Sequence, residues 1–218
     1  GPLIVADVKN ADVFIRDMAT GLDLTFNQTS LHIQALPESV LLDLSAALGN
    51  DSDTAVVKAK AVFSQDFENF DLKVETKNLN PKDVAPVQGR FSKLAKINVP
   101  FDSSLTILAQ RDIGLKTVEF HATSGKGEEH FGPKVNAINK VVLNAAYDAA
   151  TGLLEFDELS MDTARYKGKG SVSLSNIGRP ASGFFKDDVG FRVDLSALNL
   201  DFTSVFDAPF VLGSARVH

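Results

Sequence analysis

The residues able to do chemistry are few and scattered. There are four histidines, His32, His121, His130 and His218. None stands in an HExxH pattern or at ligand spacing from a carboxylate. The densest cluster is Glu128-Glu129-His130, in a glycine-rich stretch. As a metal site it would need further oxygen or nitrogen ligands from distant segments; the simpler reading is a solvated loop. His32 falls in the polar phase of an alternating stretch, which predicts a surface position, and His218 is terminal. Ser124-Gly125-Lys126-Gly127 has the small residues and the lysine of a phosphate cradle. That cradle, however, requires Gly, four residues, then Gly-Lys-Ser/Thr opening a helix. Here the lysine is followed by glycine and two acids that repel phosphate. No Gly-x-Ser-x-Gly elbow occurs. Asp187-Asp188 sits in loop-like text, and a glycosidase pair would need a cleft around it. With no cysteine there is no disulfide, thiolate nucleophile or cysteine-held zinc. The expectation is a protein that is not an enzyme, with no catalytic residue, no metal and no other cofactor.

The elements that would position any site are strands. The dominant hydrophobic period is two, the signature of half-buried β-structure. Leu22, Leu24 and Phe26 alternate with polar residues, as do Leu31 and Ile33; Val40, Leu42 and Leu44; Val57, Ala59, Ala61 and Phe63; and Phe70, Leu72 and Val74. Leu105, Ile107 and Ala109 follow, then Val118 and Phe120, and Val141, Leu143 and Ala145. The last third has Leu154 and Phe156, Val172 and Leu174, Phe191, Val193 and Leu195, then Leu200 and Phe202. One apolar and one polar face per strand predicts an antiparallel sheet with a wet side. Asp17–Gly21 and Asp148–Gly152 read as hairpin loops, each a type I turn closed by a left-handed glycine. Gly49–Asp53 and Ser124–Glu129 read as polar loops. The text Asp-x-Ala-Thr-Gly-Leu occurs at 17–22 and again at 148–153, which hints at an internal repeat of 131 residues. Helix is scarce: Asn80 can cap a turn with Pro81 at its first position, and a second short helix is predicted over Gln88–Leu94. The predicted organisation is an N-terminal β lobe over 3–78, a short helical insert over 79–99 and a C-terminal β lobe over 100–218, together one continuous domain.

Composition narrows the function. In 218 residues, 44% are hydrophobic, 23% are charged and the net charge is −6. Basic residues are dispersed, apart from Arg165, Lys167 and Lys169. That argues against a nucleic-acid partner, which needs clustered cations. Sixteen phenylalanines against two tyrosines and no tryptophan favour an oily interior or cavity over a polar-ligand site. No run of about 18 apolar residues is present, so no segment reads as a spanning helix. Gly1-Pro2 reads as a protease-cleavage remnant, and strand-like text at Leu3–Val8 and Val211–Val217 suggests a piece of a longer protein.

One stretch carries a family likeness. Asn78–Ala85 is followed by Phe91, Leu94, Ile97-Asn98-Val99-Pro100-Phe101-Asp102-Ser103-Ser104-Leu105 and the glycine-flanked Ala122–Gly127. Later come Tyr147-Asp148, Gly152–Ser160 and Gly168–Leu174. In order and texture this resembles the AsmA-like superfamily, with its TamB- and YhdP-type proteins, over roughly residues 10–176; the stretch after Ile177 matches less clearly. The resemblance implies a long curved antiparallel sheet forming a hydrophobic groove. It further implies a protein tethered to the inner membrane of diderm bacteria, lying in the periplasm and conducting phospholipid toward the outer membrane. Membrane contact would come from parts of the full-length protein absent here, and other envelope proteins are possible partners. On this reading the groove is lined by Leu22, Leu24, Phe26, Ile33, Leu42, Leu44, Phe63, Phe70, Leu72, Val74, Leu105, Ile107, Val118, Phe120, Val141, Leu143, Leu154, Phe156, Val172, Leu174, Phe191 and Val193. The alternative is a closed β-sandwich scaffold or protein-interaction domain, with the same residues spent on its core.

Overall fold

The structure is a computed structural model that describes residues 5–48, 54–89, 91–112, 114–131, 135–164, 167–177 and 185–199; in the last stretch, side chains are placed only over 190 and 192–194. The predicted loop at 49–53, the alternation at 200–202, Arg165, His218 and the C-terminal strand text lie outside these residues, as does the side chain of Phe191.

The chain runs as an antiparallel meander. Its strands are β1 (Val5–Asp17), β2 (Leu22–Ala35), β3 (Ser39–Leu48), β4 (Ala55–Ser64), β5 (Asn69–Leu79), β6 (Ile97–Asn98), β7 (Phe101–Gln110), β8 (Gly114–Ser124), β9 (Gly127–Glu129), β10 (Asn136–Asp148), β11 (Leu153–Thr163), β12 (Lys167–Ile177) and β13 (Phe185–Asn199). All belong to one sheet in the order β1-β2-β3-β4-β5-β7-β8-β10-β11-β12-β13, with β6 paired to β9 and β9 to β10. The order is linear, so the sheet is open rather than closed into a barrel. No helix among the described residues is long and apolar enough to cross a membrane.

Period two dictates the two faces, because directly opposed residues point the same way. One row runs Ala6, Ile33, Leu42, Ala61, Leu72, Ile107, Val118, Tyr147, Leu154, Leu174, Phe191 across the full width. The adjacent row on the other face runs Asp7, His32, Asp43, Lys60, Lys73, Thr106, Glu119, Ala146, Glu155, Ser173, Arg192. The register therefore separates an oily face from a charged one.

Bulges interrupt the ladders without mixing the faces. Asn10, Gln28, Asn78 and Asn176 take left-handed backbone beside register shifts in β1, β2, β5 and β12. The first three each insert a residue into their own strand, bending it and increasing its twist, whereas at Asn176 the extra residues lie on β13.

Connections alternate between two ends. Those after β1, β3, β5, β8 and β11 lie at one end, called upper here; those after β2, β4, β7, β10 and β12 lie at the lower end. The insert between β5 and β7 is at the upper end. It holds two 3₁₀ turns, Pro81–Val84 and Ser92–Lys96, not α-helices. The first is capped by the Asn80 side chain, which accepts from the Lys82 N–H. The second begins four residues after the start of the predicted helix at Gln88. The insert leaves the ladder unbroken, because β5 pairs directly with β7.

Most fully buried residues gather at this upper end: Ala46, Leu48, Ala55, Val99, Ala122, Ser124, Asn136, Ile138 and Thr163. There the β7–β8 ladder breaks at Pro100 and Gly125 and resumes as β6–β9. Gly127 marks the tightest point, since a Cβ on it would lie 2.2 Å from the Asn98 carbonyl oxygen and 2.8 Å from Val99 Cα. A smaller lower core holds Tyr147 and Ile177.

Candidate functional site: an uncovered apolar face

Cross-strand pairing puts every candidate groove residue on the same face. Leu22, Leu24 and Phe26 oppose Asp17, Ile15 and Val13 of β1, and Phe26 opposes Leu48 of β3. Leu44 shares this face with Leu42, and Phe63 meets Phe70 across β4–β5 with ring centroids 4.9 Å apart. Val74 opposes Leu105, which opposes Phe120. Leu143 opposes Ala122 on one side and Leu159 on the other, and Val141 opposes Met161. Phe156 opposes Val172, which opposes Val193. Phe191 is placed by its pairing with Leu174.

The exposure of these side chains is the informative quantity. Each one described is half-buried, neither sealed nor fully open. Central residues such as Leu72, Leu105, Ile107 and Val118 have hydrogen-bonded strands on both sides, so their remaining exposure is toward the space above the sheet. Under a second packed layer they would be sealed, as in a sandwich core. The arrangement is thus a single open sheet instead of two sheets closed on each other.

The polar residues raised by sequence have mostly local roles. His32 Nδ1 lies 2.7 Å from the Asp7 carboxylate on the charged face, and this hydrogen bond holds Asp7 below the ordinary carboxylate range. Glu128 and Glu129 lie in β9 rather than in a loop; Glu128 is 3.1 Å from His130 Nε2, and Glu129 accepts from the Asn136 side chain at 2.8 Å. No group of three His, Cys, Asp or Glu able to hold a metal occurs among the described residues. Ser124 is buried and its Oγ accepts from the Val141 N–H at 2.7 Å, so it braces β10 instead of cradling phosphate. Asp187 and Asp188 fall in β13, not in a loop.

One constellation escaped the sequence reading. Ser104, His121, Asn144 and Glu158 are successive cross-strand partners on the charged face. His121 Nδ1 donates to Asn144 Oδ1, and Asn144 Nδ2 donates to Glu158 at 3.2 Å. Register alone unites them, and no sequence motif signals it. Neither a Ser104–His121 hydrogen bond nor a cleft over the row occurs among the described residues, so the set lacks the geometry of an activated nucleophile. A pocket of about 410 Å³ lies at the lower end, lined by Glu38, Val62, Phe70, Asp71, Leu108 and Lys116. Its mixed lining suits no single ligand class.

Comparison with protein-family models, with curated proteins and with solved structures yields no match to this chain.

Proposed function

We propose that the chain is a segment of an AsmA-like bridge whose open apolar face shields phospholipid acyl chains on their way between inner and outer membranes. In the full-length protein this segment would lie in the periplasm, tethered to the inner membrane. The observation that carries the reading is the wide apolar face, on which the described candidate lining residues are half-buried and over which the described residues place no second layer. An acyl chain of about 16 carbons costs roughly 0.8 kcal/mol per CH₂ exposed to water. That is about a dozen kcal/mol per chain, so a carrier needs continuous hydrocarbon lining. It also needs few hydrogen-bonding groups on that lining, or the head group would be trapped. Alternating Leu, Val, Ile and Phe over eleven successive strands meet both requirements.

A second reading is a scaffold that binds protein partners through its edges. It is favoured by β1, an open edge of 13 residues on which Val5, Val8 and Ile15 are about half exposed. Organic extraction of the purified chain followed by mass spectrometry separates the two. Co-purified phospholipid supports the carrier. A lipid-free chain that is folded and stable removes the carrier reading and leaves the scaffold.

A further inference from the structure

The exposed apolar side chains are unevenly divided between the two ends of the sheet. Met18, Val87, Phe91, Phe131 and Val135 all lie in upper-end connections, with Met18 83% and Val87 81% exposed. Among the described lower-end turn residues, Phe67 is the single large apolar one exposed to a comparable degree. Such tips gain nothing in water and mark a contact surface.

These tips sit on loops tied into one assembly. The Gln88 N–H donates to the Thr20 carbonyl at 3.1 Å, and its side chain donates to the Ala19 carbonyl at 3.0 Å. That lashes the insert carrying Val87 and Phe91 to the hairpin carrying Met18. Val87 also packs on Gly21. At the other end of the insert, the His130 N–H donates to the Lys96 carbonyl at 2.9 Å, which ties the residue before Phe131 to the insert.

Charge accompanies the tips. Lys82, Lys93, Lys96 and Lys126 are exposed and form no ion pair among the described residues. The upper-end acids are engaged locally: Asp17 by Ala19 N–H and Thr20 Oγ, Glu128 by His130, Glu129 by Asn136. Among the described residues the exception is Asp83 in the first 3₁₀ turn. The described lower-end connections and their flanks carry Glu38, Asp66, Glu68, Asp112 and Asp148 against Arg111 and Lys116, with Asp66, Glu68 and Asp148 likewise engaged locally. Exposed apolar tips interleaved with unpaired lysines match the chemistry of an anionic bilayer interface, where hydrocarbon enters the acyl boundary and ammonium groups meet phosphate.

We propose that the upper rim docks on an anionic lipid bilayer, with Met18, Val87 and Phe91 inserted and Lys93 and Lys96 at the head groups. The inference stands on the loop tips alone and does not require a lipid-filled sheet face.

The absence of native tryptophan gives a clean test. Phe91→Trp at the upper end and Phe67→Trp at the lower end each report on their own surroundings. With vesicles of equal parts phosphatidylcholine and phosphatidylglycerol, Phe91→Trp emission should move to shorter wavelength and Phe67→Trp emission should not. The joint change Lys93→Glu/Lys96→Glu should weaken vesicle binding by roughly fivefold or more per lysine, and Val87→Asp should weaken it without altering the circular dichroism spectrum. An unmoved Phe91→Trp spectrum, or equal shifts at both ends, overturns the proposal. Lipid co-purification reads the sheet face separately, so failure of one reading is distinguishable from failure of the other.

Discussion

Gly127 illustrates how a single residue decides a local shape. The ladder of β7 and β8 kinks at Pro100 and Gly125, then resumes as β6 and β9 with backbones so close that no Cβ fits at residue 127. Gly127→Ala should cost about 1–3 kcal/mol through overpacking, read as a lower denaturation midpoint with faster amide exchange at residues 97–98 and 127–129. Asp17 is the corresponding electrostatic case. The Thr20 hydroxyl and then the Ala19 N–H hydrogen-bond its carboxylate and hold its pKa below the ordinary range. A depressed folded-state pKa contributes stability above the unfolded value of about 3.9 and loses it as pH falls through the folded one. Amide protection at Ala19 should therefore persist at neutral pH and fade below about pH 4, and an Ala19 amide equally protected at pH 7 and in strong acid would refute the account.

Among the elements, the two hairpins with the same text are the most instructive. Both place glycine in left-handed backbone, Gly21 at φ 68° and Gly152 at φ 64°, and both aim the aspartate carboxylate at the N–H two residues on. Yet an even number of strands, six, lies between β1 and β10 in the antiparallel sheet, so the two run in opposite directions and the hairpins project from opposite ends. Asp17 pairs on the oily face and Asp148 on the charged one. The shared text records one turn geometry used twice; a repeated unit of the meander would return the hairpin to the same end and face. Replacement by alanine should cost about 1–2 kcal/mol at either site, the left-handed penalty, with different secondary effects. At Gly21 the new Cβ meets Val87 at 3.0 Å and should release the insert, seen as faster exchange at the Gln88 amide. At Gly152 it meets the Ile177 carbonyl at 3.2 Å and should loosen the end of β12, seen as faster exchange at the Ile177 amide.

For the molecule as a whole, the question is what an uncovered apolar face does. Phe120 and Leu143 lie near the centre of that face, half-buried. Phe120→Asp and Leu143→Asp should each abolish phospholipid co-purification while the strand-rich circular dichroism spectrum persists, because among the described residues no packed layer is broken by the charge. Retained lipid in both variants would mean that hydrocarbon is held elsewhere. Loss of the fold in both would mean that the face is packed after all. The rim at the upper end makes a separate claim, so a variant can lose vesicle docking and still carry lipid.

The amino-acid order determined the strands, their two faces and most of their turns, because side-chain direction in a strand follows from parity alone. Even the bulges left a trace: Leu22, Leu24 and Phe26 are even-numbered and Leu31 and Ile33 odd, and the change of phase falls where Gln28 adopts left-handed backbone. Leu154 and Phe156 change phase before Leu159 and Met161 in the same way, at the β11 bulge. Tertiary structure alone decided the rest. Whether an apolar face meets a second sheet or remains open depends on the path of the whole chain, and no local pattern encodes it. Likewise His121, Asn144 and Glu158, or Met18 and Val87, become neighbours only once register and connection ends are set. Those settings come from pairings between residues far apart in the chain, where periodicity carries no information.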